Sequence, residues 1–284
     1  MPLETPYSVD EFLITTMARQ FSGEVLVSSV TAFGALSARL AKMRYAPDIA
    51  VLSTPESGME VLPMPTLTLG QFLTDAQSGI PLSMEEIFDA IFTDHFRIWI
   101  NPSQIDRFGN TNIACIGDWH QPKVALVGSR GIPEDTSHLS EIFYYILRHD
   151  PRSVVERVDF RSGAGNGEER DHYLGRHGAP TLLVSDLGVF DFTGPGGRMS
   201  IRTLHPGVTV EEVQEKSGFE VFVPADFSIT PEPTEDDILI IRSADPLEVR
   251  KWESLSGPEA AERFVQVYER ERQLLHATWP QLKR

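Results

Sequence analysis

EVLVSSVTAFGALSARLAKMRYAPDIAVLS, residues 24–53, sets the architecture. Glu24-Val25-Leu26-Val27-Ser28 is a short β-type run. From Phe33 to Met43 the chain sets Leu36, Leu40 and Met43 on one helical face, and Ile49-Ala50-Val51-Leu52 is a second apolar run ending at Ser53. Strand, helix and strand inside about thirty residues make a βαβ unit. Such a unit implies a parallel sheet whose ligand edge lies at the carboxyl ends of the strands.

Upstream, Ser8 and Glu11 have capping-box spacing, and Phe12, Leu13, Met17 and Phe21 recur at helical intervals, so an amphipathic helix is expected to open the chain. Downstream, residues 54–81 are rich in Pro, Gly and Thr and read as loop. A helix is expected over Ser83 to Thr93 and a strand near Arg97 to Ile100. The run Gln104 to Asn112 is turn-like, with Gly109-Asn110 favouring positive φ. Val124 to Val127 reads as a buried strand entering Gly128-Ser129-Arg130-Gly131, followed by a helix from about Ser137 to Arg148. Val154 to Phe160 is a strand candidate. Leu182 to Ser185, Val189 to Phe192 and Met199 to Leu204 read as strands, the last two joined by the hairpin Gly194-Pro195-Gly196-Gly197. They are expected as antiparallel additions to the parallel sheet. Val208 to Lys216 is a short helix, Phe219 to Val223 a last strand, Thr230 to Asp237 a linker or helix start, and Pro258 to Leu275 a charged helix outside the core. The expected fold is therefore α/β: an open, mostly parallel sheet flanked by helices, with added antiparallel strands.

The 284 residues can bury a sizeable core, and a net charge of −16 repels phosphate backbones and anionic lipid surfaces. Nucleic acid and membrane are therefore not expected as partners. The single cysteine, Cys115, excludes an intrachain disulfide and a cysteine-based zinc site, as suits a reducing cytoplasm. The N-terminal residues lack the basic and apolar regions of a signal peptide, and no apolar run reaches membrane-spanning length. A cytoplasmic, untargeted protein is expected.

Few residues carry recognisable chemistry. The Gly128–Gly131 loop lies between an expected strand and helix, where backbone N–H groups can face an anion or a developing oxyanion; its other reading is a structural turn. Glu56 follows an expected parallel strand, where a carboxylate can serve as covalent nucleophile or stand solvated. No HExxH motif or histidine pair has metal-ligand spacing, so no metal site is expected. No G-x-S-x-G elbow occurs, and Cys115 lies in the apolar run Ile113 to Ile116.

Four segments together resemble the β subunits of the class I CoA-transferases, glutaconate CoA-transferase among them. Tyr45-Ala46-Pro47-Asp48, a strand and Glu56-Ser57-Gly58 are similar to the passage that carries that family's nucleophilic glutamate. Gln104-Ile105-Asp106-Arg107-Phe108-Gly109-Asn110-Thr111-Asn112 followed by Gly117-Asp118-Trp119-His120-Gln121-Pro122-Lys123 resembles its most specific motif. Gly128-Ser129-Arg130-Gly131 stands at the place of its glycine loop. Asp186 to Phe192, Leu204 to Val208 and Ser217 to Glu220 complete the match, which runs from about residue 10 to about 245.

The resemblance implies a β subunit of a two-component CoA-transferase, assembled with an α subunit and acting on acyl-CoA through a glutamyl-CoA thioester. Glu56 would be the nucleophile, and Gly128, Ser129, Arg130 and Gly131 the loop that holds the oxyanion or CoA. Asn110 and Asn112 would shape the substrate site, with turn capping as their other reading. Coenzyme A would be a substrate, with no permanently bound cofactor. Arg130 replaces a glycine of the transferase loop, a change shared with the steroid-ring-cleaving CoA hydrolase branch. There the working glutamate belongs to the α subunit, and Arg130 would bind a substrate carboxylate or pair with Glu134 or Asp135. A non-catalytic subunit that completes its partner's site is the third reading. On this basis residues 1–245 form the CoA-transferase-like domain and residues 246–284 a C-terminal helical extension.

Overall fold

The structure is a computed structural model that describes residues 6–28, 30–53, 58–59, 80–91, 93, 95–139, 141–167, 170 and 180–282. The chain forms two compact units, Met1–Asp89 with Pro233–Arg284, and Ala90–Glu232.

The first unit opens with α1 (Val9–Ala18), where the Glu11 carboxylate accepts the Ser8 N–H at 3.0 Å, one arm of the expected capping box. Strand β1 (Leu26–Ser28) leads into α2 (Ala32–Leu40), whose first turn is capped by Thr31 Oγ1 accepting the Gly34 N–H at 2.9 Å. A π-helical turn, Ala41–Tyr45, ends the helix, and β2 (Ala50–Ser53) returns parallel to β1 with Leu26 opposite Ala50 and Ser28 opposite Leu52. The expected βαβ unit is thus present, with Val27, Val51, Leu36 and Leu40 buried, but Met43 falls in the π-helical turn and is exposed. Strands β3 (Gly58–Met59) and β4 (Ile80–Pro81) add antiparallel, and α3 (Met84–Ile91) follows.

The second unit is built on β5 (Phe96–Ile100), β10 (Ile142–Ile146), β12 (Pro180–Ser185), β13 (Gly188–Gly194), β14 (Arg198–Leu204) and β15 (Ser228–Ile229). Strand β10 pairs in parallel with β5 and β12, while β13 pairs antiparallel with β12 and β14, as the hairpin Gly194 to Gly197 predicts. Smaller pieces are β6 (Gln104–Asp106) between β7 (Thr111–Asn112) and β11 (Val154–Val155), and a hairpin of β8 (Cys115–Asp118) and β9 (Gln121–Ala125). Helices α4 (Ile132–His138) and α5 (Val210–Lys216) complete it.

Four expectations change here. Ile142-Phe143-Tyr144-Tyr145-Ile146 is strand rather than helix; all five residues are buried, so helical spacing and the unbroken apolar run of a central strand coincide. Strand β9, which takes in only Val124 and Ala125 of the expected 124–127 run, is exposed along its length rather than buried. Only Val154–Val155 of the 154–160 run pairs as a strand, and Phe222 makes a single bridge to Ser200.

Two buried histidines pin the carboxyl ends of these strands. His149 Nδ1 lies 2.9 Å from Ser185 Oγ and its Nε2 2.9 Å from Ser217 Oγ, while His205 lies 2.9 Å from Thr230 Oγ1 and 2.7 Å from the Ser185 carbonyl. Burial lowers both imidazoles to about 4.

The chain then returns to the first unit through α6 (Glu235–Ala244), capped by Thr234, then α7 (Val249–Glu253) and α8 (Gly257–Leu282). Thr230 to Asp237 is therefore a linker that ends in a helix start. Arg250, 3% exposed, bridges Asp10 at 2.7 Å, Asp245 at 2.9 Å and Glu11 at 3.2 Å, and the Glu253 carboxylate accepts the N–H groups of Ala32 and Phe33 at 2.8 and 3.4 Å.

Candidate functional site

The site grows from the turn between β6 and β7. Asp106 Oδ1 accepts the N–H groups of Phe108 and Asn110, both at 3.0 Å, and Gly109 supplies the positive φ of +79°. A side chain at Gly109 would place its Cβ 2.7 Å from Pro180 Cγ, so close packing as well as conformation demands glycine. Asn110 gives its amide protons to Asp106 Oδ1 and Oδ2 and accepts the Gly165 N–H at 2.8 Å. Burial raises the Asp106 carboxyl despite those donors.

Asn112, fully buried, donates to Gln104 Oε1 at 2.7 Å and to the Cys115 carbonyl at 2.6 Å, while its Oδ1 accepts the Ala114 N–H at 2.9 Å. Asn112 thereby fixes residues 113–115, and these hold the glycine loop. The Leu126 N–H donates to Ala114 O at 3.0 Å and the Gly128 N–H to Ile113 O at 3.2 Å. Ser162 Oγ, buried, takes the Ile113 N–H at 3.1 Å and the Ser129 hydroxyl at 3.2 Å.

In the loop itself Gly128 and Arg130 both have left-handed backbones, φ 86° and 51°. Among the described residues no acceptor takes the N–H of Ser129, Arg130 or Gly131, and the space beside Gly128 is open. The Arg130 side chain is exposed and has no ion-pair or hydrogen-bond partner among the described residues; neither Glu134 nor Asp135 engages it. An unclaimed guanidinium beside unclaimed amides is a receptor for carboxylate or oxyanion. A non-glycine residue held left-handed is uncommon; among the described residues Arg130 and Glu248 are the two.

The structure thus joins Asn110, Asn112 and the 128–131 loop through β7 and residues 113–115. Glu56 lies outside the described residues. Two contributors go unread in the sequence: Asp106 as a turn anchor and Ser162 as the loop's support. Asp106 was legible in its spacing to Asn110; nothing local marks Ser162. Among the described residues no group of three or more His, Cys, Asp or Glu is placed to hold a metal ion, and no helix is long and apolar enough to cross a membrane.

Comparison with known proteins agrees with this architecture. The chain is 32% identical over 243 residues to a cholesterol ring-cleaving hydrolase IpdB subunit of Rhodococcus jostii, covering 82% of this chain and 89% of that protein. It is 30% identical over 250 residues to one subunit of the 3-oxoadipate CoA-transferase of Pseudomonas knackmussii, covering 84% of this chain and 94% of the relative. The crystal structure of glutaconate coenzyme A-transferase from Acidaminococcus fermentans superposes with a TM-score of 0.76 at 25% identity, covering 85% of this chain and 96% of that one. The coenzyme A transferase family model matches residues 72–216. With that match, the full-length relatives and the shared fold in hand, the chain belongs to the coenzyme A transferase family.

Proposed function

We propose that this chain is the β subunit of a cytoplasmic two-subunit enzyme acting on CoA thioesters, and that the enzyme hydrolyses them. The observation that carries the reading is Arg130: a free guanidinium in a left-handed residue, set in a loop of unclaimed amides. Arginine matches a carboxylate bidentately, which suits a substrate carrying an acid group beyond its thioester. The loop amides then face the oxyanion formed when water adds to a carbonyl, an interaction worth about 3 kcal/mol per donor. Coenzyme A belongs to the substrate, and no resident cofactor is invoked. Asn110 and Asn112 position the loop through the backbone they hold.

The second reading is CoA transfer, in which Glu56 attacks the thioester and carries CoA as a glutamyl thioester. The Glu56-Ser57-Gly58 motif and the transferase subunits among the relatives favour it. In either case an α subunit completes the enzyme.

Substitution at Arg130 tests the assignment in the co-purified complex. Arg130→Ala should lower kcat/KM for a carboxylated acyl-CoA at least 100-fold, and Arg130→Lys should restore little, because an ammonium lacks the planar fork. Wild-type kinetics in Arg130→Ala would remove the loop from the chemistry.

A further inference from the structure

Residues 162–165 come to the loop from a distant stretch of chain and are bonded to everything around it. Ser162 Oγ, buried, takes the Ile113 N–H at 3.1 Å and the Ser129 hydroxyl at 3.2 Å. The N–H groups of Ser162 and Gly163 donate to Thr111 O at 2.8 and 3.1 Å, and the Thr111 N–H donates to Gly163 O at 3.1 Å. Gly163 packs against the start of α4, where an added Cβ would stand 2.7 Å from Ile132 Cγ2 and 2.9 Å from Thr136 Cγ2. The Ala164 N–H donates to Thr136 Oγ1 at 3.1 Å, and the Gly165 N–H to Asn110 Oδ1 at 2.8 Å. The segment thus spans the Asn110 turn, β7 and the helix that follows the loop. Among the described residues, the bond from Ser129 to Ser162 is the one side-chain hydrogen bond that residues 128–131 make.

We infer that Ser162 is a positioning residue of the loop site, acting through the Ser129 hydroxyl to hold the amides of residues 129–131 in place for an oxyanion. Its role rests on the reading of the loop as the site, given above. Two features of the geometry support it. Ser129 lies between Gly128 and Arg130, the two left-handed residues of the loop, so a tether there fixes the backbone on both sides. Amide donors stabilise a developing charge only when they are aimed before it forms, and a small displacement of the loop weakens all of them together. The second feature is the direction of the bond. A serine nucleophile needs a base to take its proton, and the group that takes the Ser129 proton is another serine hydroxyl, itself held by the Ile113 N–H. Ser129 therefore serves as an anchor, and the loop acts through its backbone and through Arg130.

The experiment uses the α/β complex and, as probe, glutaryl-CoA, which carries a second carboxylate. Ser129→Ala removes the tether and leaves the Ile113 N–H its partner. It should lower kcat about 10-fold, with KM within about threefold and the melting temperature unchanged, a split that a merely structural residue would not give. Ser129→Thr keeps the hydroxyl and should recover most of the rate. Ser162→Ala should lower kcat by the same factor, at a lower melting temperature because the Ile113 N–H is left unpaired. The double variant should be no slower than Ser162→Ala alone, since the two side chains act as one unit. Wild-type kcat in Ser129→Ala, or losses that multiply in the double variant, overturns the proposal. So does an acyl adduct trapped on the peptide that carries Ser129. Arg130→Ala separates this failure from that of the loop reading. If Arg130→Ala turns over at the wild-type rate, the loop is not the site and both fall; if it is impaired while Ser129→Ala keeps its kcat, the role of Ser162 alone falls.

Discussion

Asn112 shows how a single side chain reaches the site without touching it. Four of its hydrogen bonds run to Gln104, Ala114 and Cys115, and the loop hangs from the backbone they fix. Asn112→Ala strips these partners inside the core, and leaving buried polar groups unsatisfied costs about 1–3 kcal/mol. Urea unfolding should show a loss of that size, and the surviving folded complex should lose kcat more than it gains KM, because the loop amides drift. Gly109 and Asn110 were legible as a turn because turn chemistry is local, whereas Asn112 and the 128–131 loop were singled out only through the family resemblance. Ser162 was hidden by distance: it meets Ile113 and Ser129 only once the chain has folded.

Elements were legible where period and turn signal agreed. The βαβ passage and the β13–β14 hairpin formed as their patterns demanded, whereas β10 was lost because leucine and aromatic spacing fits either a helix or a doubly covered strand. The histidines at the ends of these strands give the fold a pH dependence. Each imidazole is depressed from 6.5 to about 4, so its contribution is fully present above 6.5 and is lost as pH falls toward 4, about 3 kcal/mol apiece. Asp135 and Glu253, raised to about 7, act in the opposite sense: they hold more protons folded than unfolded and favour the folded state as pH falls below 7. Removing one opposing group should therefore steepen the acid loss. In urea titrations between pH 6.5 and 4, Asp135→Asn should lose stability faster with falling pH than the wild type; equal slopes would contradict the assignment of that carboxyl.

Across the molecule, the last fifty residues return to the N-terminal unit, where Arg250 meets Asp10, Glu11 and Asp245, the first two more than two hundred positions away in sequence. Glu11 was legible as a cap but not as the partner of Arg250, because no local pattern encodes a contact so remote. The boundary at 245/246 stands as a proposal for where the shared domain ends and an added segment begins. The net charge of −16 leaves anion recognition to local groups, and Arg130 with its loop is one such group among the described residues. Whether this loop serves hydrolysis can be read in heavy-oxygen water. The α/β complex is incubated with an acyl-CoA that carries a second carboxylate, borohydride is added to trap any glutamyl thioester, and products and peptides are weighed by mass spectrometry. Hydrolysis puts one heavy oxygen from the solvent in the new carboxyl group and leaves the mass of the peptide carrying Glu56 unchanged. A reduced adduct on Glu56, with CoA passed to an acceptor acid and no solvent oxygen in the product, would contradict it.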